Sequence, residues 1–282
     1  MSAPCDLHIA TDSLQNFPEK YILQAVQLGY RTFAVDQSVI NEPDTKQKVK
    51  YSIKKVTCPE SFQSKLQKVN DGDKIKILSR ITVECTGKSN ISRTMKPQLE
   101  QFDLIAGKPL DGLALERLVE EDVDIITLDA DYRKSYYFKK ELVKMAIRRG
   151  IVFELNYGPC VADSTARQHT IELAQELLIF SKGKNVILSS GHNSVQFNRG
   201  PYDVANLAVL FGLPIGMAKL TVSKNCLDAL KHSELRKSIA GSMDIHKVVA
   251  DGVTNCEPSE KQKKRKSHQT PNPKNKKLKA DQ

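Results

Sequence analysis

At 282 residues and 40% hydrophobic content, the chain can bury a sizeable core, and no apolar run is long and unbroken enough to span a bilayer as a helix. Its formal charge of +10 is concentrated at one end: residues 261–282 hold nine Lys and Arg against one Asp, or +8, leaving 34 against 32, or +2, for residues 1–260. A uniformly basic surface is thereby excluded, and an anionic partner has to be met by local patches or by the tail. The six cysteines are scattered without a Cys-x-x-Cys pair, and MSAPCDLHIA lacks the basic start and apolar stretch of a secretory signal, which predicts reduced, structural thiols.

In chain order, CDLHIA predicts a first short strand and residues 18–28 a helix, with Ile22, Leu23 and Val26 apolar and Gly29 as its stop. RTFAVDQSV is the second strand. Residues 41–72 are polar and Lys-rich and predict an excursion from the core, with one helix at PESFQSKLQKV. Alternation then resumes: IKILSRITVEC as a strand of period two, NISRTMKPQLEQF as a weak helix interrupted at Pro97, FDLIAGKPL as a strand and LALERLVEE as a helix. VDIITLDA follows as a strand, YYFKKELVKMAIRRG as a helix ending at Gly150, and IVFELNYGP as a strand. Asp163 or Ser164 is placed to cap the long helix TARQHTIELAQELLIFSKG.

The stretch Gly183 to Leu213 is the most informative. Val186, Ile187 and Leu188 read as a parallel strand buried on both faces. Ser189, Ser190 and Gly191 open a polar loop that closes on Arg199-Gly200-Pro201. Pro201 suits the first position of a helix, Asp203 complements its dipole, and Val204, Ala208 and Phe211 recur at helical spacing. Helical pieces without a strand follow Leu213. Beyond about Gly241 the composition turns to Glu, Lys, Ser, Pro and Asn, which cannot bury enough apolar area to offset ordering entropy. The expected organisation is therefore an α/β barrel over residues 1–240 and a disordered basic tail over 241–282. Seven strands separated by helices imply parallel pairing, in an open doubly wound sheet or a closed barrel. No Gly-rich loop follows the first strand, so the reading adopted is a distorted TIM-like barrel of about seven mostly parallel strands with surrounding helices.

Ligands in such folds gather at the carboxyl ends of the strands; Asp6 and His8 lie in the first strand, Glu154 ends a strand and His192 follows the last, so a barrel can point all four toward one mouth. These are metal-ligand types, but Ala10 stands where a His-x-His pair would place its second His, and a two-metal centre needs more donors than the remaining His supply. His169, His232, His246 and His268 lie on helices or in the tail. The preferred reading is that the four are hydrogen-bonded polar residues, with no catalytic residue, no bound metal and no cofactor. There is no G-x-S-x-G elbow, Walker loop or H-E-x-x-H, and Asp129 and Asp131 read as turn formers.

Binding residues are sought among cations. YRKSYYFKK, Tyr132 to Lys140, interleaves aromatics with Lys139 and Lys140 as nucleic-acid surfaces do; alternatively Tyr136, Tyr137 and Phe138 start a helix and pack inward. Arg148 and Arg149 suit a helix end. Arg167 and Arg199 stand near helix starts, where a cation opposes the dipole unless an anion or a carboxylate such as Asp163 or Asp203 joins it. Lys182 and Lys184 suit the other end of the long helix, and Lys184 joins the candidate RNA-binding set with Arg167, Arg199, Lys139 and Lys140. In the tail, Lys263, Lys264, Arg265 and Lys266, then Lys274, Lys276 and Lys277, form two basic clusters of the kind read by nuclear import, or a nonspecific RNA-binding tail.

GKNVILSSG followed by RGPYDVANLAVLFGL, with DSTAR upstream and SKNCLDAL downstream, closely resembles the TIM-barrel-type protein subunit of nuclear ribonuclease P and ribonuclease MRP. The resemblance runs from CDLHIA to about Lys237. It implies a barrel related to the polymerase-and-histidinol-phosphatase superfamily of metal phosphoesterases, in which DLHIA is similar to a D-x-H-x-H motif that has lost its second His, with Glu154 and His192 as further remnants. It also implies catalysis by an RNA subunit in 5′ maturation of precursor tRNA, and ribosomal RNA processing in MRP. The protein would fold and position that RNA, pair with a small ferredoxin-like subunit, avoid membranes and reside in the nucleus, at the nucleolus. It assigns no individual RNA contact, so the cation choices rest on local physics. A metal-dependent phosphoesterase with a reduced site and a protein-interaction scaffold are the alternatives.

Overall fold

Short β-prone runs, many rich in Val and Ile, alternate along the chain with helix-forming segments, and each run becomes a strand of one seven-stranded sheet. The computed structural model describes residues 3–11, 17–41, 57–69, 74–87, 96–128, 136–192 and 194–240, all within a compact unit that spans Met1–Met243. The basic tail, with Lys263 to Lys266 and Lys274 to Lys277, lies outside the described residues, as do Asp129, Asp131, Asn193 and most of the first half of YRKSYYFKK.

The strands are β1 (Cys5–Ala10), β2 (Thr32–Asn41), β3 (Lys76–Cys85), β4 (Leu104–Pro109), β5 (Ile125–Leu128), β6 (Val152–Asn156) and β7 (Val186–Ser189). Between them run α1 (Glu19–Gln27), α2 (Glu60–Val69), the single turn α3 (Lys96–Leu99), α4 (Gly112–Glu120), α5 (Lys140–Arg149), α6 (Tyr157–Ala162) and α7 (Ser164–Ser181). After β7 come α8 (Pro201–Leu210), the short α9 (Ile215–Ala218) and α10 (Lys224–Ala240). Strand order follows the sequence and every pairing is parallel. With helices on the outside at each crossover, this is a barrel.

The barrel closes without a ladder between its first and last strands. Near their carboxyl ends, Gly191 N and Ser190 Oγ donate to the His8 carbonyl at 2.9 and 2.7 Å. Thr221 and Val222, with Asn225 in the first turn of α10, bridge the rest of the gap. Cys5 N donates to Val222 O at 2.8 Å, Leu188 N to Thr221 O at 3.4 Å, and Asn225 Nδ2 to Val186 O at 2.7 Å.

Several boundaries differ from the sequence reading. Tyr136 to Lys139 precede α5 instead of starting it: Tyr136 and Phe138 are buried while Tyr137 is exposed, the alternation of an extended segment. Tyr157 to Ala162 form a helix, of which Tyr157 to Pro159 were expected to continue the preceding strand; Pro159 lies in the first turn, where its missing N–H is not needed. Among the described residues of NISRTMKPQLEQF, 96–102, Lys96–Leu99 are helical. The helix foreseen in the 41–72 excursion is α2, and it is part of the core: Phe62 and Leu66 are buried against α1 and β2 with Tyr21, Ile22 and Phe33. Asp163 caps α7, accepting from Ala166 N at 2.8 Å, and Asp111 caps α4 in the same way.

Inside the barrel the lower half is apolar. Leu7, Ala34, Leu104, Ile125, Val152 and Ile187 pack together, and α10 closes this floor with Cys226, Ala229 and Leu230. One buried carboxylate clasps α10. Asp124, just before β5, accepts from Ile105 N at 2.9 Å, His232 Nδ1 at 2.8 Å and Arg236 Nη2 at 2.8 Å. His232, set aside in the sequence as poorly placed, is thus a structural contact at the amino end. Lys237 adds an exposed-edge pair with Asp103 at 2.9 Å. Substituting Asp124→Ala leaves Arg236 and Ile105 N without their acceptor, and the expected loss is about 3–5 kcal/mol of unfolding free energy. Urea denaturation of the variant measures it, and a loss below ~1 kcal/mol would mean that the clasp contributes little.

Candidate functional site

Above the apolar floor the interior becomes ionic within one pleat. In β1 the pairing shifts between Asp6, opposite Phe33, and Ile9, opposite Val35, so Leu7 and His8 together face Ala34. This bulge leaves Leu7 in the floor and still turns His8 into the interior above it. Asp36 on β2, Arg80 and Thr82 on β3, Thr127 on β5, and Glu154 and Asn156 on β6 project into the same interior cluster, each two residues beyond or two short of an interior neighbour on its strand.

Arg80 is the centre of this layer and has no exposed surface. Its Nη1 donates to Glu154 Oε1 at 2.7 Å and to the Leu7 carbonyl at 2.6 Å; its Nη2 donates to Glu154 Oε2 and Thr127 Oγ1, both at 2.6 Å. Nε lies 3.2 Å from Asp36 Oδ1 and 3.3 Å from Thr82 Oγ1. The pair with Glu154 is bidentate, the strongest geometry available to a guanidinium and a carboxylate. His8 presents Nδ1 to Glu154 Oε2 and Asn156 Oδ1, each at 3.1 Å, and Nε2 to Asp36 Oδ2 at 3.4 Å. Burial and Arg80 push the His8 pKa down, but Glu154 and Asp36 outweigh them and hold it at about 9. For Glu154 burial acts upward and is overcome by Arg80 and His8, which keep the carboxyl well below its usual range. Asp36 is lowered for the same reasons.

Asp6 is separate from this cluster. It accepts from Tyr21 OH at 2.9 Å and from Ser190 N at 3.1 Å, and burial raises its pKa above the ordinary value. His192 is separate too. Ser194 N donates to its Nδ1 at 3.1 Å, and its ring meets Tyr21, Tyr157 and Phe197 edge-on. Gly158 lies beneath it, and a Cβ there would run into the His192 ring. Burial, with the charge of His8, lowers the His192 pKa to about 4, so the ring is neutral.

Of the four residues with metal-ligand chemistry, His8 and Glu154 are therefore brought together, while Asp6 and His192 serve other contacts. With Arg80 in place, the donor set does not fit a metal ion. Both Glu154 oxygens and Asp36 Oδ1 face Arg80, and both His8 nitrogens face carboxylates. Among the described residues no group of three or more His, Cys, Asp and Glu is arranged to hold one. The sequence reading missed Arg80, Asp36, Thr82 and Thr127. The available signal was Arg80 itself, a charge in the middle of the strand IKILSRITVEC, between the apolar Leu78 and Ile81.

The candidate cations divide between the two ends of the barrel. Arg167, Arg199, Lys139 and Lys140 follow the carboxyl ends of strands, whereas Lys184 lies in the turn leading into the amino end of β7. Lys139 pairs with Glu116. Arg167 donates Nε to the Cys160 carbonyl at 2.9 Å, so the carbonyl end of α6 offsets its unfavourable place at the start of α7. Arg199 donates Nη1 to the carbonyls of Gln196 and Asn198, both at 3.0 Å. Among the described residues neither arginine pairs with Asp163 or Asp203. Arg149 does more than face a helix end, donating to Glu121 O at 3.1 Å.

Residues 3–238 match the family described as RNase P subunit p30. The chain belongs to that family. It is 35% identical over 244 residues to the Mus musculus ribonuclease P protein subunit p30, covering 86% of this chain and 90% of that one. The Saccharomyces cerevisiae ribonuclease P/MRP protein subunit RPP1 is 24% identical over 189 residues, covering 66% and 62%. A chain in the cryo-EM structure of archaeal ribonuclease P with mature tRNA shares the fold, with a TM-score of 0.57 at 16% identity, covering 90% of this chain and all of that one.

The two histidines give opposite pH signatures. Raised from 6.5 to about 9, His8 contributes stability that is complete below pH 6.5 and is lost as pH rises through 9, with a ceiling of about 3 kcal/mol. Lowered to about 4, His192 contributes stability that is complete above pH 6.5 and is lost as pH falls through 4. Denaturant titrations across pH 4 to 9.5 are expected to show the alkaline slope flattened in His8→Gln and the acid slope flattened in His192→Gln. Unchanged slopes in both variants would contradict the assignment.

Proposed function

We propose that this chain is a noncatalytic, RNA-binding and assembly subunit of ribonuclease P, and of ribonuclease MRP where that particle exists. The observation that carries this reading is the match to the p30 family over residues 3–238, which takes in the whole barrel. The interior supports the noncatalytic part, since the groups that hydrolytic chemistry would use are committed to one another and to Arg80. Cleavage of precursor tRNA then belongs to the RNA of the particle. A small ferredoxin-like protein is the partner proposed alongside that RNA, and the basic clusters of the tail would direct nuclear import, with the nucleolus as destination. Purifying the tagged full-length chain from cells and sequencing the bound RNA tests the reading. The expected outcome is one dominant structured RNA, with 5′ cleavage of precursor tRNA in the eluate that is abolished by nuclease treatment. Activity that survives complete removal of RNA would overturn the noncatalytic role.

The RNA-facing cations proposed are Arg167, Arg199, Lys139 and Lys140 at the carboxyl rim, with Lys184 at the other end. Arg167 and Arg199 lead because backbone carbonyls fix part of each guanidinium while leaving N–H groups for phosphate oxygens. Arg167→Ala and Arg199→Ala are expected to keep the fold's stability nearly intact, weaken binding of the cognate RNA, and lower the salt slope by roughly one unit each. Filter binding at several salt concentrations reads this directly. Equal affinity and slope in both variants would move the RNA face elsewhere.

A further inference from the structure

The guanidinium of Arg80 is surrounded in a way that an ordinary buried ion pair is not. Six oxygens lie within hydrogen-bonding distance of its nitrogens, from five strands: Leu7 O, Asp36 Oδ1, Thr82 Oγ1, Thr127 Oγ1 and both oxygens of Glu154, at 2.6–3.3 Å. Four are carbonyl or carboxylate oxygens and two are hydroxyls, and none is a nitrogen or sulfur donor. An all-oxygen shell of carboxylates, hydroxyls and a backbone carbonyl is what hard divalent cations take. Here it converges on one side chain, the largest among the described residues to be completely buried.

We propose that Arg80 is a resident cation: its guanidinium occupies an oxygen-lined cation site at the centre of the barrel, so the chain itself supplies the positive charge that Asp36 and Glu154 require. The shell is a site in its own right, not a set of groups gathered by packing. Taking away the guanidinium exposes it to an exogenous cation, whether a small guanidinium compound or a divalent ion. The inference concerns the barrel interior and stands whether or not the rim binds RNA.

Two variants test this on the full-length protein. Arg80→Ala removes the cation and opens space; Arg80→Gln keeps most of the volume and some hydrogen bonding but no charge. Both are expected to melt lower than the wild type by about 10 °C, because two carboxylates lose their buried partner. Millimolar ethylguanidinium, Mn²⁺ or Ca²⁺ should recover at least half of that loss in Arg80→Ala, while NaCl at equal ionic strength should not. Should Arg80→Ala fail to fold unaided, recovery of soluble protein on refolding with each cation gives the same readout. Arg80→Gln separates charge from packing: wild-type stability in that variant means the guanidinium is needed only as filler, and overturns the proposal. Failure of every cation to stabilise Arg80→Ala overturns it as well. So does stoichiometric Mn²⁺ uptake by the wild type that is lost in Glu154→Gln, since the shell would then hold a metal beside Arg80.

Discussion

The carboxylate of Glu154 and the guanidinium of Arg80 meet edge to edge inside the barrel, with neither exposed to solvent. Removing two ions from water is costly, and their attraction repays it only where the remaining donors and acceptors are also satisfied. That condition reaches outward through the structure. Thr127 must stand beside Glu154, Thr82 beside Asp36, and the Leu7 carbonyl must turn toward Nη1. These groups come from β1, β2, β3, β5 and β6, so the ionic layer is satisfied only when five strands are in register. A slip of one residue in any of them would turn its polar contributor into the helix layer and leave a buried charge unpaired. The layer thus selects one arrangement of the sheet, whereas the apolar residues on the other face would accept several.

Beneath it the floor has the opposite character. Leu7, Ala34, Leu104, Ile125, Val152 and Ile187 need only volume, and α10 supplies the missing wall. The two halves depend on each other. The dry floor keeps the medium around Arg80 weakly polarisable, which strengthens each of its contacts and also the cost of losing one. Asp124 repeats this logic at the amino end, where one buried carboxylate gathers His232, Arg236 and a strand N–H.

Much of this architecture could be read from the sequence because it follows local periodicity. Val186 to Leu188 is buried on both faces as its unbroken apolar run implies, Pro201 begins α8, and Asp163 caps α7. Seven strands, all parallel, follow from their alternation with helices. The site was legible only in part, since its geometry depends on long-range register. Asp6, His8, Glu154 and His192 share a strand-end position in sequence, yet the β1 bulge and the Ser190 loop send them to different partners. Nothing local to DLHIA indicates that bulge. Arg80 sits at an inward position of β3, but an inward arginine acquires meaning only once Asp36 and Glu154 are seen across from it. At the rim, the dipole argument for Arg167 considers α7 alone, and the compensating carbonyl belongs to α6, a helix that the sequence pattern does not announce.

The seam between β1 and β7 has a consequence for the order in which the chain can fold. The first strand emerges from synthesis more than two hundred residues before Val222, the residue whose carbonyl receives the Cys5 N–H. Until then one edge of β1 is an open strand edge, and the floor of the barrel has no lid. Contacts between the two ends of a sequence this long cost more loop-closure entropy than those between neighbouring strands, an order that favours completing the seam last. A growing chain that stops short of α10 would hold most of the helix layer and still display an unpaired strand and an uncovered apolar floor. Those are surfaces on which chaperones and aggregation compete.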